Sequence, residues 1–214
     1  MCANVLGVLA GGDFDHASLV RWAASAEVLI AADGGAHALL DAGFQPDHVI
    51  GDFDSYNPEA RLGPKAIHRD ENQDTTDCDK LLNLARELGV SRLFLFGVEG
   101  DRLDHVLSTL HSVAASEMDV TLVLRMGLAR MVHATETFSW TAKAGAKVSV
   151  IPFVDAHIER LSGVRWPLEG QRLAPAKAWS ISNEALGGPI ILTVTEGWVL
   201  VITEFSAEEL PRWV

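Results

Sequence analysis

Cysteine is nearly missing from this chain: Cys2 and Cys78 are the only two in 214 residues. That is too few for a disulfide framework, and their separation matches no metal-ligand spacing. A reducing, cytoplasmic setting is expected. No apolar run is long enough to cross a bilayer. Basic charge is scarce too, with 17 Lys and Arg against 29 Asp and Glu and a formal net charge of -12. That balance argues against nucleic acid or an anionic membrane as partner. It leaves open an anionic nucleotide, provided a cation mediates and the positive residues are local. The first ten residues are apolar but lack a basic leader, and Gly11-Gly12-Asp13 interrupts them, so they read as a strand and not as a signal peptide. Core material is plentiful: 48% of residues are hydrophobic and 21% charged, a globular composition sufficient for one large domain or two small ones.

Strand-length apolar runs alternate with helical periodicity through the first part of the chain. Strands are expected at Asn4 to Ala10, Val28 to Ala32, Val49-Ile50, Ala66 to His68, Arg92 to Phe96 and Val120 to Leu124. Helices are expected at His16 to Ala26, Ala36 to Ala42, Thr76 to Leu88, capped by Thr75 or Thr76, and Leu103 to Ser116. This alternation predicts a Rossmann-like, mostly parallel sheet with helices on both faces. Beyond Met126-Gly127 helical periodicity stops. Short strand-type runs recur between glycines at Lys147 to Phe153, Ile158 to Val164, Ile190 to Val194 and Val199 to Thr203. They predict an antiparallel β-sandwich or small barrel, and hence two domains, 1–126 and 127–214.

A parallel sheet binds ligands beyond the carboxyl ends of its strands. Gly11-Gly12-Asp13, Asp33-Gly34-Gly35, Asp52/Asp54 and Gly100-Asp101-Arg102 each follow a predicted strand directly, so all belong to one edge. Glycine there lets backbone approach phosphate, and helix N-termini add amide donors. In an extended Gly51-Asp52-Phe53-Asp54-Ser55, Asp52 and Asp54 face one way and Phe53 the other. Two such carboxylates repel unless a proton or cation sits between them, and Mg2+ suits oxygen ligands beside substrate phosphates. The alternative is a polar turn. Asp77 and Lys80 share one face at a helix start. They fit either a metal-bound polyphosphate or ordinary helix-start chemistry. Arg102 can fork onto phosphate, and Asp104 can orient Arg102 or a ribose hydroxyl. His105 suits a base or a hydrogen-bonding partner, and a helix cap with a solvated ion pair explains the same group. Ser182 and Asn183 could read a heterocycle and Trp166 offers a flat apolar surface, against core packing and turn chemistry. His37, His48, His68 and His157 form no ligand spacing and are expected to be structural.

Taken together and in order, Ala32-Asp33-Gly34-Gly35, Pro46-Asp47 with Gly51 to Ser55, Gln73-Asp74 with Thr76-Asp77 and Lys80, and Gly100 with Arg102 to His105 closely resemble the thiamine pyrophosphokinase family. Gly163 to Leu168 and Ile181 to Glu184 look like its second-domain signatures. The resemblance implies an α/β catalytic domain followed by a β-sandwich. It implies transfer of pyrophosphate from ATP to the hydroxyethyl group of thiamine, giving thiamine diphosphate and AMP. It also implies a homodimer, with thiamine held between the two kinds of domain. The implied Mg2+ ligands are Asp52, Asp54 and Asp77, with Asp33 nearby. Gln73, Lys80 and Arg102 would hold phosphate oxygens; Gly11, Gly12, Gly34, Gly35, Thr76, Asp104 and His105 would surround the nucleotide. Ser182, Asn183 and Trp166 would meet thiamine. Asp101 departs from the glycine usual in bacterial relatives. The rival classes are a Mg2+-dependent nucleotide phosphohydrolase and a non-catalytic nucleotide-binding regulator.

Overall fold

The apolar run after Asn4 forms β1 (Val5–Val8), with every residue buried, as a strand covered on both faces requires. The structure, a computed structural model, describes residues 4–10, 15–53, 67–100 and 102–205. Gly11, Gly12, Asp54 and Asp101 lie outside the described residues. The chain divides into two units, Met1–Arg125 and Met126–Val214.

In the first unit β1 is joined by β2 (Val28–Ala32), β3 (His48–Gly51), β4 (Ile67–Arg69), β5 (Arg92–Phe96) and β6 (Asp119–Leu124). All pair in parallel, in the order β6-β5-β1-β2-β3-β4. The chain works outward from β1 to β4, then returns across the sheet to β5. Its direction therefore reverses between β1 and β5, the place where such sheets open a ligand crevice. The crossovers are α1 (His16–Ser25), α2 (Gly35–Asp41), α3 (Asp77–Glu87) and α4 (Leu103–Ser116). Right-handed connections put helices on opposite faces once the direction reverses. So α1 and α2 share one face, while α3, which packs on β2 and β3 and against α4, covers the other.

Local chemistry sets where α3 begins. The Thr76 hydroxyl accepts from the Asp79 amide at 3.1 Å, and the Asp79 carboxylate accepts from the Thr76 amide at 2.9 Å. This reciprocal capping box makes Thr76, not Thr75, the cap and fixes Asp77 as the first helical residue. Burial pushes the Asp79 carboxyl up, but hydrogen bonds from Thr76 and Ser112 outweigh it and leave the group below its ordinary value. Leu81, Leu82, Leu84 and Ala85 form the buried stripe. Two glycines allow close approach at the carboxyl edge. A Cβ on Gly35 would sit 2.2 Å from the Val8 carbonyl oxygen, and one on Gly97, where φ is +78°, would sit 2.3 Å from that of Leu9.

The second unit contains β7 (Gly127–His133), β8 (Glu136–Ala142), β9 (Lys147–Pro152), β10 (Ala156–Ser162), β11 (Leu168–Leu173), β12 (Ser180–Glu184), β13 (Gly188–Glu196) and β14 (Trp198–Glu204). One antiparallel sheet runs β12-β9-β14-β7 and the other β11-β10-β13-β8. Alternate residues fill the space between them: Phe138, Trp140 and Ala142 from β8, Ile190, Leu192 and Val194 from β13, Val148 and Val150 from β9, Val199 and Val201 from β14. That period of two is the signature of strands with one face inward.

The short edge strand β4 is tied to β3 by side chains as well as by the ladder. The His48 Nδ1 and His68 Nε2 atoms lie 3.0 Å apart, so one ring donates and the other accepts. Burial, and then the neighbouring His48, hold the His68 ring below the ordinary value of 6.5, while Glu87 pulls it partly back. A histidine depressed in the folded state binds protons better when unfolded, so stability is full above the ordinary value and falls as pH drops through it. The expected outcome is that the melting temperature declines between about pH 7.5 and about pH 5.5, and declines less in His68→Gln. Calorimetric melts across that range check this; parallel slopes in the two proteins would rule the pair out as a source.

Candidate active site

Parallel pairing delivers Leu9-Ala10, Asp33, Asp52 and Gly97 to one edge of the first unit. A cavity of about 440 Å³ opens there. Asp52, Gln73, Thr76, Asp77, Lys80, Arg102 and His105 all stand on its wall. Thus the carboxylates after β3 and at the start of α3, far apart in sequence, share one space. Asp33 sits beside it: a Cβ on Gly51 would touch the Asp33 carboxyl carbon at 3.2 Å. Gly34 precedes the first turn of α2 as its N-cap. Neither these two residues nor Gly35 and Asp104 lie on the cavity wall.

Lys80 is the decisive side chain. It is 3% exposed, and none of the ion pairs among the described residues uses it. Lysine is rarely buried so fully without a partner, because stripping water from an ammonium group is costly. Its place on the cavity wall makes that space attractive to an anion. The N-terminal ends of α3 and α4 open onto the same cavity and add their positive dipole ends.

Two polar pairs set the rest of the wall. Gln73 Nε2 donates to Asp52 Oδ2 at 3.0 Å, so this amide orients the carboxylate and is not free to serve phosphate alone. Arg102 forks onto Asp104, with Nη2 to Oδ2 at 2.6 Å and Nε to Oδ1 at 3.2 Å. The Arg102 hydrogen bond holds the exposed Asp104 carboxyl down at about 2. Of the two roles open to Asp104, orienting Arg102 is the one the geometry shows. Cys78 also lines the cavity, and burial, then Asp79 and Asp77, push its thiol well above the ordinary range.

The backbone departs from the extended geometry expected of Gly51 to Ser55. β3 ends at Gly51, and Phe53 adopts a φ of +58°. The extended path expected through this stretch therefore fails at Phe53; Asp54 and Ser55 lie outside the described residues. Asp33, with φ of +42°, is similarly strained. Among the described residues no three His, Cys, Asp or Glu side chains gather closely enough to form a metal group; Asp54 lies outside that set. The donors present still suit Mg2+: the carboxylates of Asp52 and Asp77 on one wall, hard oxygen ligands beside two cationic side chains. Ser108 and Thr109 complete the wall from α4. Their positions, three and four beyond His105, are a helical-spacing signal that the sequence does carry.

In the second unit, β12 carries a bulge between Ser180 and Asn183. Ser182 sits in it with φ of +56° and is exposed; such bulges re-aim side chains. Asn183 is buried, 3% exposed. Its Oδ1 accepts from the Trp166 amide at 3.1 Å, and its Nδ2 donates to the Trp166 carbonyl at 2.6 Å. Asn183 thus clamps the Trp166 main chain and presents no open face to a ligand. Trp166 itself is 54% exposed, with the Arg165 guanidinium 4.9 Å above its ring. Glu184 fastens Arg165 at 3.0 Å and Lys147 at 2.9 Å. The Lys147 hydrogen bond, then that of Arg165, lowers its carboxyl.

Comparison with known proteins agrees with both units. Residues 19–124 match the family model "Thiamin pyrophosphokinase, catalytic domain", and residues 136–199 match "Thiamin pyrophosphokinase, vitamin B1 binding domain". The chain is 28% identical to the thiamine pyrophosphokinase of Bacillus subtilis over 182 residues, covering 81% of this chain and 85% of that protein. It is 26% identical to thiamine pyrophosphokinase 1 of Arabidopsis thaliana over 190 residues, covering 74% and 71%. The fold is shared with the crystal structure of thiamin pyrophosphokinase from Geobacillus thermodenitrificans, at a TM-score of 0.81 and 24% identity over 96% of this chain and all of that one. It is shared also with the yeast enzyme, at 0.77 and 14% over 97% and 88%. With a catalytic-domain match in one unit and a vitamin-binding match in the other, this chain belongs to the thiamine pyrophosphokinase family.

Proposed function

We propose that the cavity at the carboxyl edge of the first unit is where ATP binds and reacts. The observation that carries this is the buried Lys80, which has no acidic partner among the described residues yet shares a wall with Asp52, Asp77 and Arg102. The enzyme transfers pyrophosphate from ATP to the hydroxyethyl oxygen of thiamine, giving thiamine diphosphate and AMP. The thiamine oxygen bonds to the β-phosphorus while the bond from that phosphorus to the oxygen bridging the α-phosphate breaks, and AMP leaves with that oxygen.

Such transfers rest mainly on positioning and on neutralising phosphate charge. Lys80 and Arg102 hold phosphate oxygens; Asp104 keeps the Arg102 fork in place. Gln73 fixes the direction of the Asp52 carboxylate. Asp52 and Asp77, with Asp54, would hold Mg2+, which when bound offsets the negative charge of the polyphosphate. His105 and Thr76 flank the nucleotide, with Asp33, Gly34 and Gly35 at the same edge of the sheet; Gly11 and Gly12, outside the described residues, are assigned to the nucleotide by the family resemblance alone. The hydroxyl proton passes late to a wall carboxylate, Asp77 being the candidate. In the second unit Ser182 contacts the thiamine pyrimidine and Trp166 packs on the vitamin, held by Asn183. Exposed Trp166, Trp179, Ile181 and Leu186 support a homodimer built through this unit. Among the described residues no helix is long and apolar enough to cross a membrane; the cysteine content supports a cytoplasmic enzyme.

Incubation with MgATP, with and without thiamine, separates this from its rivals. Thiamine-dependent AMP is expected; phosphate release without thiamine would mark a hydrolase, and binding without turnover a regulator. Asp52→Asn is expected to keep the fold and lower kcat by about a hundredfold or more; parent-like turnover in the purified, folded variant would remove Asp52 from the site. Asn183→Ala leaves two Trp166 backbone groups without partners, at a cost on the order of 1–3 kcal/mol. It should raise the KM for thiamine while that for ATP stays unchanged. Equal changes in both constants would show that the clamp does not serve the vitamin.

A further inference from the structure

We propose that Phe53 is a positioning residue for Asp52: its buried ring locks the turn that keeps the Asp52 carboxylate on the cavity wall. This rests on the reading of Asp52 as a magnesium ligand. Bulky side chains avoid positive φ, yet Phe53 sits at +58°. Strain of that kind persists where the surroundings over-determine it, and it collects at functional sites. Here the surroundings are visible. The ring is 8% exposed. The Arg69 guanidinium lies 5.8 Å from its centroid, a cation-over-ring contact; among the described residues its ion pair is a long one, 3.8 Å to exposed Glu71.

The same strand supplies the other half of the clamp. Arg69 is the register partner of Gly51, and the Asp70 amide donates to the Gly51 carbonyl at 2.9 Å. The backbone is therefore pinned immediately before Asp52 by β4 and immediately after it by the Phe53 ring. Between these two points Asp52 has little freedom, and Gln73 takes up one of its oxygens at 3.0 Å. Without the buried ring at position 53, Asp52 would be anchored on its Gly51 side alone.

The test compares Phe53→Leu, Phe53→Ala and Phe53→Gly with the parent and with Asp52→Asn. Mn2+ is titrated calorimetrically in the presence of a non-hydrolysable ATP analogue, and KM is measured for Mg2+ and for thiamine. Phe53→Ala and Phe53→Gly are each expected to weaken Mn2+ binding about tenfold, as loss of a ligand's support does. The Mg2+ requirement should rise alongside, with the thiamine KM within about twofold. Phe53→Leu, which keeps a buried apolar body, should stay within about threefold of the parent. Glycine adopts positive φ freely, so Phe53→Gly separates the ring from the backbone. Full Mn2+ affinity in that variant would overturn the proposal, even if Phe53→Ala fails to fold. Unchanged Mn2+ binding in Asp52→Asn would instead sink the ligand reading itself. Loss in Asp52→Asn together with parent-like Phe53 variants would sink only the inference about the ring.

Discussion

Parallel pairing is the constraint on which the first unit depends. Once β1, β2, β3 and β5 run the same way, each outgoing loop must emerge at the same edge. The chain has no further choice about where Asp33, Asp52 and Gly97 go. The reversal between β1 and β5 then leaves the crevice into which α3 and α4 point their N-termini. A lysine one turn into α3 falls on that crevice because the Thr76–Asp79 capping box starts the helix at Asp77. The charge of Lys80 is stranded from water by the packing of its own helix.

That arrangement gives the site a balance of sign. Two cationic side chains, Lys80 and Arg102, share one wall with two acidic ones, Asp52 and Asp77. Carboxylates facing a polyanion make sense chemically when a hard cation lies between them. The protein as a whole is acidic, so any attraction of an anion to this cavity has to come from a few local positive groups. The supporting contacts follow the same logic: Asp104 directs Arg102, Gln73 directs Asp52, and Arg69 covers Phe53.

The second unit works by different means. Its core is a period-two interleaving of β8, β13, β9 and β14, which leaves the rim to carry specific chemistry. The bulge in β12 and the Asn183 clamp show how an edge strand can serve a site: one residue is turned outward and its neighbour inward to fix a tryptophan. Polar contacts thus substitute for packing where Trp166 is more than half exposed.

Periodicity and turn chemistry carried most of the first unit. β2, β5 and α4 fall where apolar runs and helical spacing place them, and the remaining strands and helices there differ only at their ends. In the second unit β7, β8, β11 and β12 are missing from the sequence expectations. β11 has four exposed residues in its interior, so no apolar alternation marks it, and β12 is broken by its bulge. For the site, residue types and order already pointed to acids, a lysine and an arginine gathering at one edge of the sheet, because charge and loop position are local properties of the chain. Which oxygen Gln73 binds, that Asn183 faces inward, and that Phe53 turns left-handed between two acids were decided by tertiary structure. Those outcomes depend on neighbours brought from distant strands, whose contacts override the conformations that each short segment prefers alone.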